Sequence, residues 1–117
     1  MALESKFKSD LIKELEYMFP GAIILKNDAN SLPGIPDTLI LYKYMWATLE
    51  AKKREDEPHR PNQDYYVDLL NRMSYSAFIY PENKERILNE LQSTFGFSRA
   101  TRLPRSIKIS LDKLRRG

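Results

Sequence analysis

Two short apolar runs separated by only a few residues constrain the fold of this chain more than any other feature. The runs are DTLILYKY at 37–44 and WATLEAK at 46–52, and they lie between a turn-rich segment at 27–36 and a charged, proline-containing segment at 53–61. Apolar runs this short and this close predict two neighbouring β-strands joined by a turn near Lys43–Trp46. We therefore expect a β-sheet, with the flanking segments forming the layers that pack on it.

The flanking segments predict an ordered alternation of helices and strands. Apolar residues three or four positions apart predict helices at 4–18, 62–73 and 81–95, and short apolar runs predict strands at 22–26 and 75–80. The predicted order is α-β-β-β-α-β-α. The first three strands can form an antiparallel meander, and the strands before and after the second helix can pair in parallel. We therefore expect an α/β fold with a mixed sheet flanked by helices.

Several local expectations accompany this assignment. Asn62 is expected to cap the second helix. The apolar face of that helix is expected to comprise Tyr66, Leu69, Leu70 and Met73. Glu82 is expected in the first turn of the third helix, where an acidic side chain suits the helix dipole, and Gly96 is expected to end that helix. The segment SIKISLDKL at 106–114 is ambiguous, because its first half alternates like a strand and its second half has helical spacing.

The length and the charge distribution suggest one domain with a basic end. A chain of 117 residues suits a single domain at 1–117, with a core at about 4–95 and a basic C-terminal segment at 96–117. Residues 95–117 carry seven basic side chains and one acidic side chain, a net charge of +6, which leaves −3 for residues 1–94. A polyanionic partner or a solubilising terminus would account equally for this asymmetry.

The composition excludes several classes of protein and site. No apolar run approaches the roughly 20 residues that span a bilayer, and the N-terminal MALESKFKSD lacks the apolar stretch of a signal peptide, so we expect a cytoplasmic protein with no membrane partner. Without cysteine there is no disulfide, thiolate chemistry or Cys-based zinc site, and the single His59, expected at the surface, cannot form an all-His site. Any metal would have oxygen ligands, which favours Mg²⁺ or Mn²⁺.

The end of the predicted hairpin gathers residues with a possible chemical use. Side chains alternate along a strand, so Glu50 and Lys52 share one face of the second strand while Leu49 and Ala51 share the core face, and antiparallel pairing brings Asp37 to this end. Two carboxylates and a backbone carbonyl can hold a hard divalent cation, and the lysine can orient or deprotonate an attacking water. Such a site hydrolyses phosphodiesters. The same pattern also fits a turn followed by an exposed edge strand whose charges are incidental.

The run GIPD, an apolar strand and the run LEAK resemble the PD-(D/E)XK nuclease superfamily, which includes restriction endonucleases, archaeal Holliday junction resolvases and the VRR-NUC nucleases. The resemblance covers roughly residues 4–91 and implies a restriction-endonuclease-like core of order α-β-β-β-α-β. It implies that Asp37 and Glu50 bind the metal together with the main-chain carbonyl of Ala51. It also implies that Lys52 is the catalytic lysine.

The resemblance extends to two residues away from the hairpin. Glu4 matches an acidic residue of the first helix that joins the metal site in several branches. Gln63 matches a glutamine that supports the site and contacts the substrate. This chain departs from the branches it most resembles in the sequence KREDE after Lys52, where they often carry Ser or Thr.

These features predict a Mg²⁺- or Mn²⁺-dependent DNA endonuclease with no small-molecule cofactor. The basic residues expected to grip the phosphate backbone are Lys53, Arg54, Arg60, Arg99, Arg102 and Arg105. Because no specificity domain is expected beyond the core, we expect branched, flap or junction DNA as substrate, and a homodimer by analogy with junction resolvases. Small phage-type nucleases fit this size, in which case the location is the host cytoplasm.

Other hypotheses remain open at this point. One is a non-catalytic nucleic-acid-binding domain on a nuclease-like fold, and another is a small interaction protein in which the motif is coincidental. Among the aromatic residues, Trp46 shares the face of Glu50 and is the candidate for stacking on a base. Packing on a neighbouring side chain would account for it as well.

Overall fold

The computed structural model describes residues 2–28 and 30–96, and of residues 2–4 it describes the backbone alone. The elements are α1 (Ala2–Met18), β1 (Ile23–Lys26), β2 (Thr38–Tyr42), β3 (Met45–Ala51), α2 (Gln63–Met73), β4 (Tyr75–Ile79) and α3 (Lys84–Phe95). The predicted order of helices and strands is confirmed. The predictions for 106–114 and for the rest of the basic segment lie outside the described residues.

The four strands form one mixed sheet in the order β1-β2-β3-β4. β1, β2 and β3 pair antiparallel in sequence, and β3 pairs parallel with β4 through the α2 crossover, as predicted. The hairpin turns at Lys43 and Tyr44, where Lys43 has a φ of 58° that suits a tight hairpin turn. β3 is thus an interior strand, so its charges are not those of an exposed edge.

One face of the sheet forms the main apolar core with α1 and α3. The most deeply buried residues of this core are Leu11, Leu15, Phe19, Ile40, Ala47, Leu49, Ala51, Ile79, Ile87, Leu91 and Phe95. β3 contributes every second residue to it, in agreement with the predicted alternation. Each large apolar side chain buried here stabilises the fold by about 1.5–3 kcal/mol before entropy costs.

The opposite face of β3 is buried as well, although it carries polar and charged residues. Thr48, Glu50 and Lys52 are only 3%, 6% and 3% exposed. α2 packs over β3 and β4, and the Thr48 hydroxyl donates a hydrogen bond to Ser76 Oγ on β4 at 2.7 Å. The alternation in the sequence identified this face but did not predict its burial.

α2 packs through a face that only partly matches the predicted one. Its buried residues are Gln63 and Val67. Of the four predicted residues, Tyr66, Leu69 and Leu70 are half-buried, and Met73 is 64% exposed. The packed stripe begins with a polar side chain, which hides it from a search for apolar periodicity. Asn62 occupies the N-cap position but makes no side-chain capping bond, because its backbone is left-handed with a φ of 71°.

α3 begins later than predicted, at Lys84, with Asn83 at the N-cap position. Asn83 Oδ1 accepts a hydrogen bond from the Tyr80 N–H at 2.8 Å, which holds the preceding residues in a turn. Glu82 therefore precedes the helix, and the acidic residue in the first turn is Glu85. The predicted end at Gly96 is confirmed.

A glycine at the end of the turn-rich segment allows that segment to approach α2. Gly34 has a φ of 93°, and a Cβ added there would lie 2.6 Å from Asn62 Cβ. Gly21 has a similar φ of 89° but nothing within 4 Å of an added Cβ, so it provides a matched control.

We expect Gly34→Ala to lower the free energy of unfolding by about 2–4 kcal/mol, because steric overlap adds to the strain of a positive φ. Gly21→Ala, which introduces the strain alone, should cost about 1 kcal/mol. Urea unfolding of both variants measures the difference. Equal losses would contradict a tight contact between this segment and α2.

Candidate functional site

The predicted acid pair is brought together at the end of the hairpin. Thr38 pairs with Leu49 across β2 and β3, which places Asp37 beside Glu50. Asp37 Oδ1 accepts a hydrogen bond from Thr38 Oγ1 at 2.9 Å and a longer one from the Ala51 N–H at 3.4 Å. The two carboxylates thus share one partly enclosed environment.

This environment makes the negative charge of Glu50 costly. Burial and, after it, the charge of Asp37 raise the pKa of Glu50 from its usual 4.5 to about 7, against the opposing effect of Lys52 and Lys8. Asp37 Oδ2 is shielded from solvent and is paired with the Lys8 ammonium, whose Nζ lies 2.8 Å away. The two carboxylates therefore repel each other at the cavity, and Lys8 offsets part of that repulsion.

The backbone of Ala51 faces the β2 side of the hairpin end. The Lys52 N–H donates to the Ile79 carbonyl on β4 at 2.8 Å, so the backbone of Lys52 faces β4. Successive residues of a strand face opposite neighbours, so the backbone of Ala51 faces β2, where its N–H meets Asp37. The N–H and C=O of one residue point to the same side, so the Ala51 carbonyl points to the β2 side of the strand, as its N–H does.

Lys52 is buried but well partnered. Its Nζ donates to Gln63 Oε1 at 2.7 Å and lies 3.5 Å from Glu57 Oε2. Gln63 Oε1 also accepts a hydrogen bond from the Arg60 N–H at 2.8 Å, which fixes the amide at the start of α2. The predicted neighbourhood of Lys52 and Gln63 is thus present, and it holds the ammonium in one orientation.

Three polar residues that line the site were not identified from the sequence. Lys8 could have been, because it lies three and seven residues before the buried Leu11 and Leu15 and thus on the packed stripe of α1. Asn27 lies opposite Asp37 and donates its side-chain N–H to the Pro36 carbonyl at 2.9 Å. Glu57 belongs to a loop whose path has no sequence signal.

That loop, residues 53–61, is held against the site face by several contacts. Glu57 Oε1 accepts a hydrogen bond from the Lys53 N–H at 2.8 Å, which closes the loop on itself. The ring of His59 stacks on Phe78 of β4 with centroids 4.0 Å apart, and its Nδ1 lies 2.7 Å from Asp64 Oδ1. His59 is a surface residue, as expected, and it anchors the loop.

A cavity of about 240 Å³ lies at the centre of these elements. Its lining residues are Lys8, Asn27, Gly34, Ile35, Asp37, Glu50, Lys52, Glu57, Arg60 and Gln63. A larger open hollow of about 780 Å³ follows the exposed side of α3, but it contains none of the predicted site residues. The smaller cavity is therefore the candidate functional site.

The predicted DNA-binding residues do not all lie at the cavity. Arg60 lines the cavity, whereas Arg54 lies outside it and forms an ion pair with Asp56 at 2.6 Å. Lys53 is not among the lining residues. Trp46 is half-buried at the opposite end of β3 from Glu50. The remaining predictions, Arg99, Arg102 and Arg105, lie outside the described residues, as does the side chain of Glu4.

Within the described side chains, no group of three or more His, Cys, Asp or Glu converges on one point. The acidic side chains that line the cavity are Asp37, Glu50 and Glu57, whereas Ala51, predicted to contribute its carbonyl, is not among the lining residues. No protein-family model, curated protein or solved structure matches this chain. Any functional assignment therefore depends on the geometry and chemistry of these residues. In the part of the chain that the structure describes, no helix has the length and apolar character needed to cross a membrane.

The raised pKa of Glu50 leads to a prediction about stability. The folded state binds this proton more tightly than the unfolded state, so its contribution to stability is complete below about pH 4.5 and is lost as the pH rises through about 7. Glu50→Gln mimics the neutral acid and removes this dependence. We expect the variant to gain about 2–3 kcal/mol relative to the wild type between pH 4.5 and pH 8 in EDTA.

Urea unfolding at both pH values measures this gain. Glu16→Gln, an exposed change on α1, provides the control and should follow the wild type. A constant difference between Glu50→Gln and the wild type across this range would contradict the buried, charge-opposed environment of Glu50.

Proposed function

We propose that this chain is a Mg²⁺- or Mn²⁺-dependent nuclease of the PD-(D/E)XK type that hydrolyses phosphodiester bonds in DNA. The observation that carries the proposal is the Asp37–Glu50 pair, two partly buried carboxylates held side by side next to a buried lysine, at one end of an interior hairpin. Carboxylates forced together away from water are typical of sites that bind a cation or perform acid–base chemistry. The cytoplasm is the proposed location.

The residues at the cavity fit a hard divalent cation. Asp37 offers a shielded carboxylate oxygen that already pairs with the cationic Lys8, and burial beside Asp37 makes the charge of Glu50 costly. Together with the Ala51 carbonyl they would hold such an ion through oxygen atoms, the donors that Mg²⁺ and Mn²⁺ prefer. When bound, such an ion supplies a polarised phosphoryl group and an acidified water.

The remaining residues of the cavity have roles that follow from their contacts. Gln63 and Glu57 hold the Lys52 ammonium in place, where it can orient the attacking water and stabilise negative charge on the phosphate. Arg60 is exposed and lines the cavity, where its guanidinium can contact a phosphate of the DNA backbone. Branched, flap or junction DNA is the proposed substrate, and a homodimer would place two cuts symmetrically.

The nuclease proposal predicts a specific pattern of cleavage. With Mn²⁺ or Mg²⁺ the wild type should cut flap or four-way-junction DNA, and EDTA should abolish the cleavage. Glu50→Gln and Lys52→Met should each reduce the rate at least about 100-fold, because each removes a group that acts on the transition state. Lys13→Met, an exposed change on α1, should leave the rate unchanged.

Gel assays with single-stranded, linear duplex, flap and junction DNA distinguish the alternatives. Metal-independent binding without cleavage would favour a non-catalytic nucleic-acid-binding domain. The absence of any DNA interaction would leave an interaction protein with a coincidental motif.

Lys8 provides a separate test of the metal site. Its ammonium lies 2.8 Å from Asp37 Oδ2 and must move or be displaced for a divalent cation to occupy that oxygen. We expect Lys8→Met to bind Mn²⁺ at least about tenfold more tightly than the wild type, because a competing positive charge is removed.

Titration calorimetry with Mn²⁺ measures this affinity without DNA. Lys6→Met is the matched control, because Lys6 lies on the same helix but pairs with Asp10 at an exposed position. Equal affinities of Lys8→Met and the wild type would show that the ammonium does not compete with the cation, and loss of binding would show that Lys8 helps to form the site.

A further inference from the structure

The sheet face that carries the candidate site stays apolar beyond the part that α2 covers. Paired residues project to the same face, so the register Ile23↔Leu41 and Leu25↔Leu39 aligns these four side chains. The pairing of Leu41 with Trp46 continues the row into β3. We call these five residues the edge strip. It lies on the β1 side of the sheet, whereas α2 packs over β3 and β4.

The edge strip is open where it meets the edge of the sheet. Its two β1 members are 55% and 46% exposed, and within the described ranges no strand pairs with the outer side of β1. The Asn27 N–H donates to the Asp37 carbonyl at 2.8 Å, so alternate amides face β2 and those of Ile24 and Lys26 point outward. Exposed apolar side chains beside unpaired backbone groups form a template for another strand.

The chain itself contains a segment with the matching pattern. In SIKISLDKL, Ile107, Ile109 and Leu111 alternate with polar residues, so they share one face if the segment is a strand. A strand of this pattern beside β1 would add one apolar row to the edge strip. Lys108 and Ser110 would project from the opposite face.

The end of α3 lies where this segment can reach β1. The ring centroid of Phe95 lies 5.3 Å from that of Phe19 and 5.7 Å from that of Tyr42. The Ala22 N–H donates to the Phe19 carbonyl at 2.9 Å immediately before β1 begins. Residues 97–105 extend up to roughly 30 Å, whereas neighbouring strands are about 5 Å apart.

We propose that residues 106–112 pair with the outer side of β1 of the same chain as a fifth strand, whose apolar side chains pack against the outer flanks of Ile23 and Leu25. The reach of residues 97–105 from the end of α3 favours this intramolecular contact. Pairing between the β1 strands of two copies would involve four residues from each, far less contact than the roughly 1,200–2,000 Å² of a stable interface. The proposal is independent of the nuclease function.

Disulfide trapping tests the proposal directly, because the natural chain has no cysteine. Leu25→Cys is combined in turn with cysteine at each of the three alternating apolar positions. The controls combine Leu25→Cys with Lys108→Cys or Ser110→Cys, which project from the other face. Paired residues on neighbouring strands have Cα atoms about 4.5–5.5 Å apart, within the range of a disulfide.

We expect mild oxidation of dilute protein to cross-link at least one of the alternating pairs within a single chain, while the controls stay reduced. Non-reducing gels and mass spectrometry of the cleaved protein identify the product. Cross-linking into dimers alone would assign the edge strip to a second copy and overturn the proposal. Absence of cross-linking, or equal cross-linking of the controls, would overturn it as well.

Hydrogen exchange of the unmodified chain gives a second measurement. The outward amides of Ile24 and Lys26 should be protected in the wild type, because they would donate to the added strand. Ile109→Asp should speed their exchange at least tenfold, whereas Ser110→Asp should not. Free exchange of these two amides in the wild type, or equal effects of the two variants, would overturn the proposal.

Discussion

Burial of charge on an interior strand is the constraint to which the other elements of this molecule respond. β3 carries Glu50 and Lys52 into the covered face of the sheet, where each unpartnered ion would cost several kcal/mol. The compensating groups come from separate parts of the chain: Lys8 from α1, Glu57 from the loop after β3, and Gln63 from α2. The helices and the loop therefore satisfy β3 electrostatically as well as packing on it.

The charges of Lys52 and Glu50 are not compensated to the same extent, and this difference bears on the chemistry of the site. Lys52 has a close amide oxygen and a carboxylate at its ammonium, whereas Glu50 has Asp37, a group of like charge, beside it. Lys8 offsets part of the repulsion between the two carboxylates, but not enough to keep the pKa of Glu50 in its usual range. Two carboxylates held together away from water favour a site that binds a cation.

The sequence predicted those parts of the site that depend on strand periodicity and failed where the chain path depends on tertiary contacts. Alternation along β3 and antiparallel pairing were sufficient to bring Asp37 to Glu50. The packed face of α2 was only partly predicted, because Gln63 is buried for its bond to Lys52 and not for apolar area. Glu57 could not be found, because its position depends on a loop closed by contacts of its own backbone and by the stacking of His59 on β4.

The position of Asp37 at the site depends on the register of β2, and that register depends in part on the edge strand β1. A slip of one residue would turn Asp37 to the face opposite Glu50, because side chains alternate along the strand. β2 is held in register by β3 on one side and by the four residues of β1 on the other, extended by the bond from Asn27 to the Asp37 carbonyl. An edge strand so short, with half-exposed apolar side chains, holds β2 in register only weakly by itself. A fifth strand would stabilise β1 in the sheet and so help to keep Asp37 at the site, although it would touch none of the residues of the cavity.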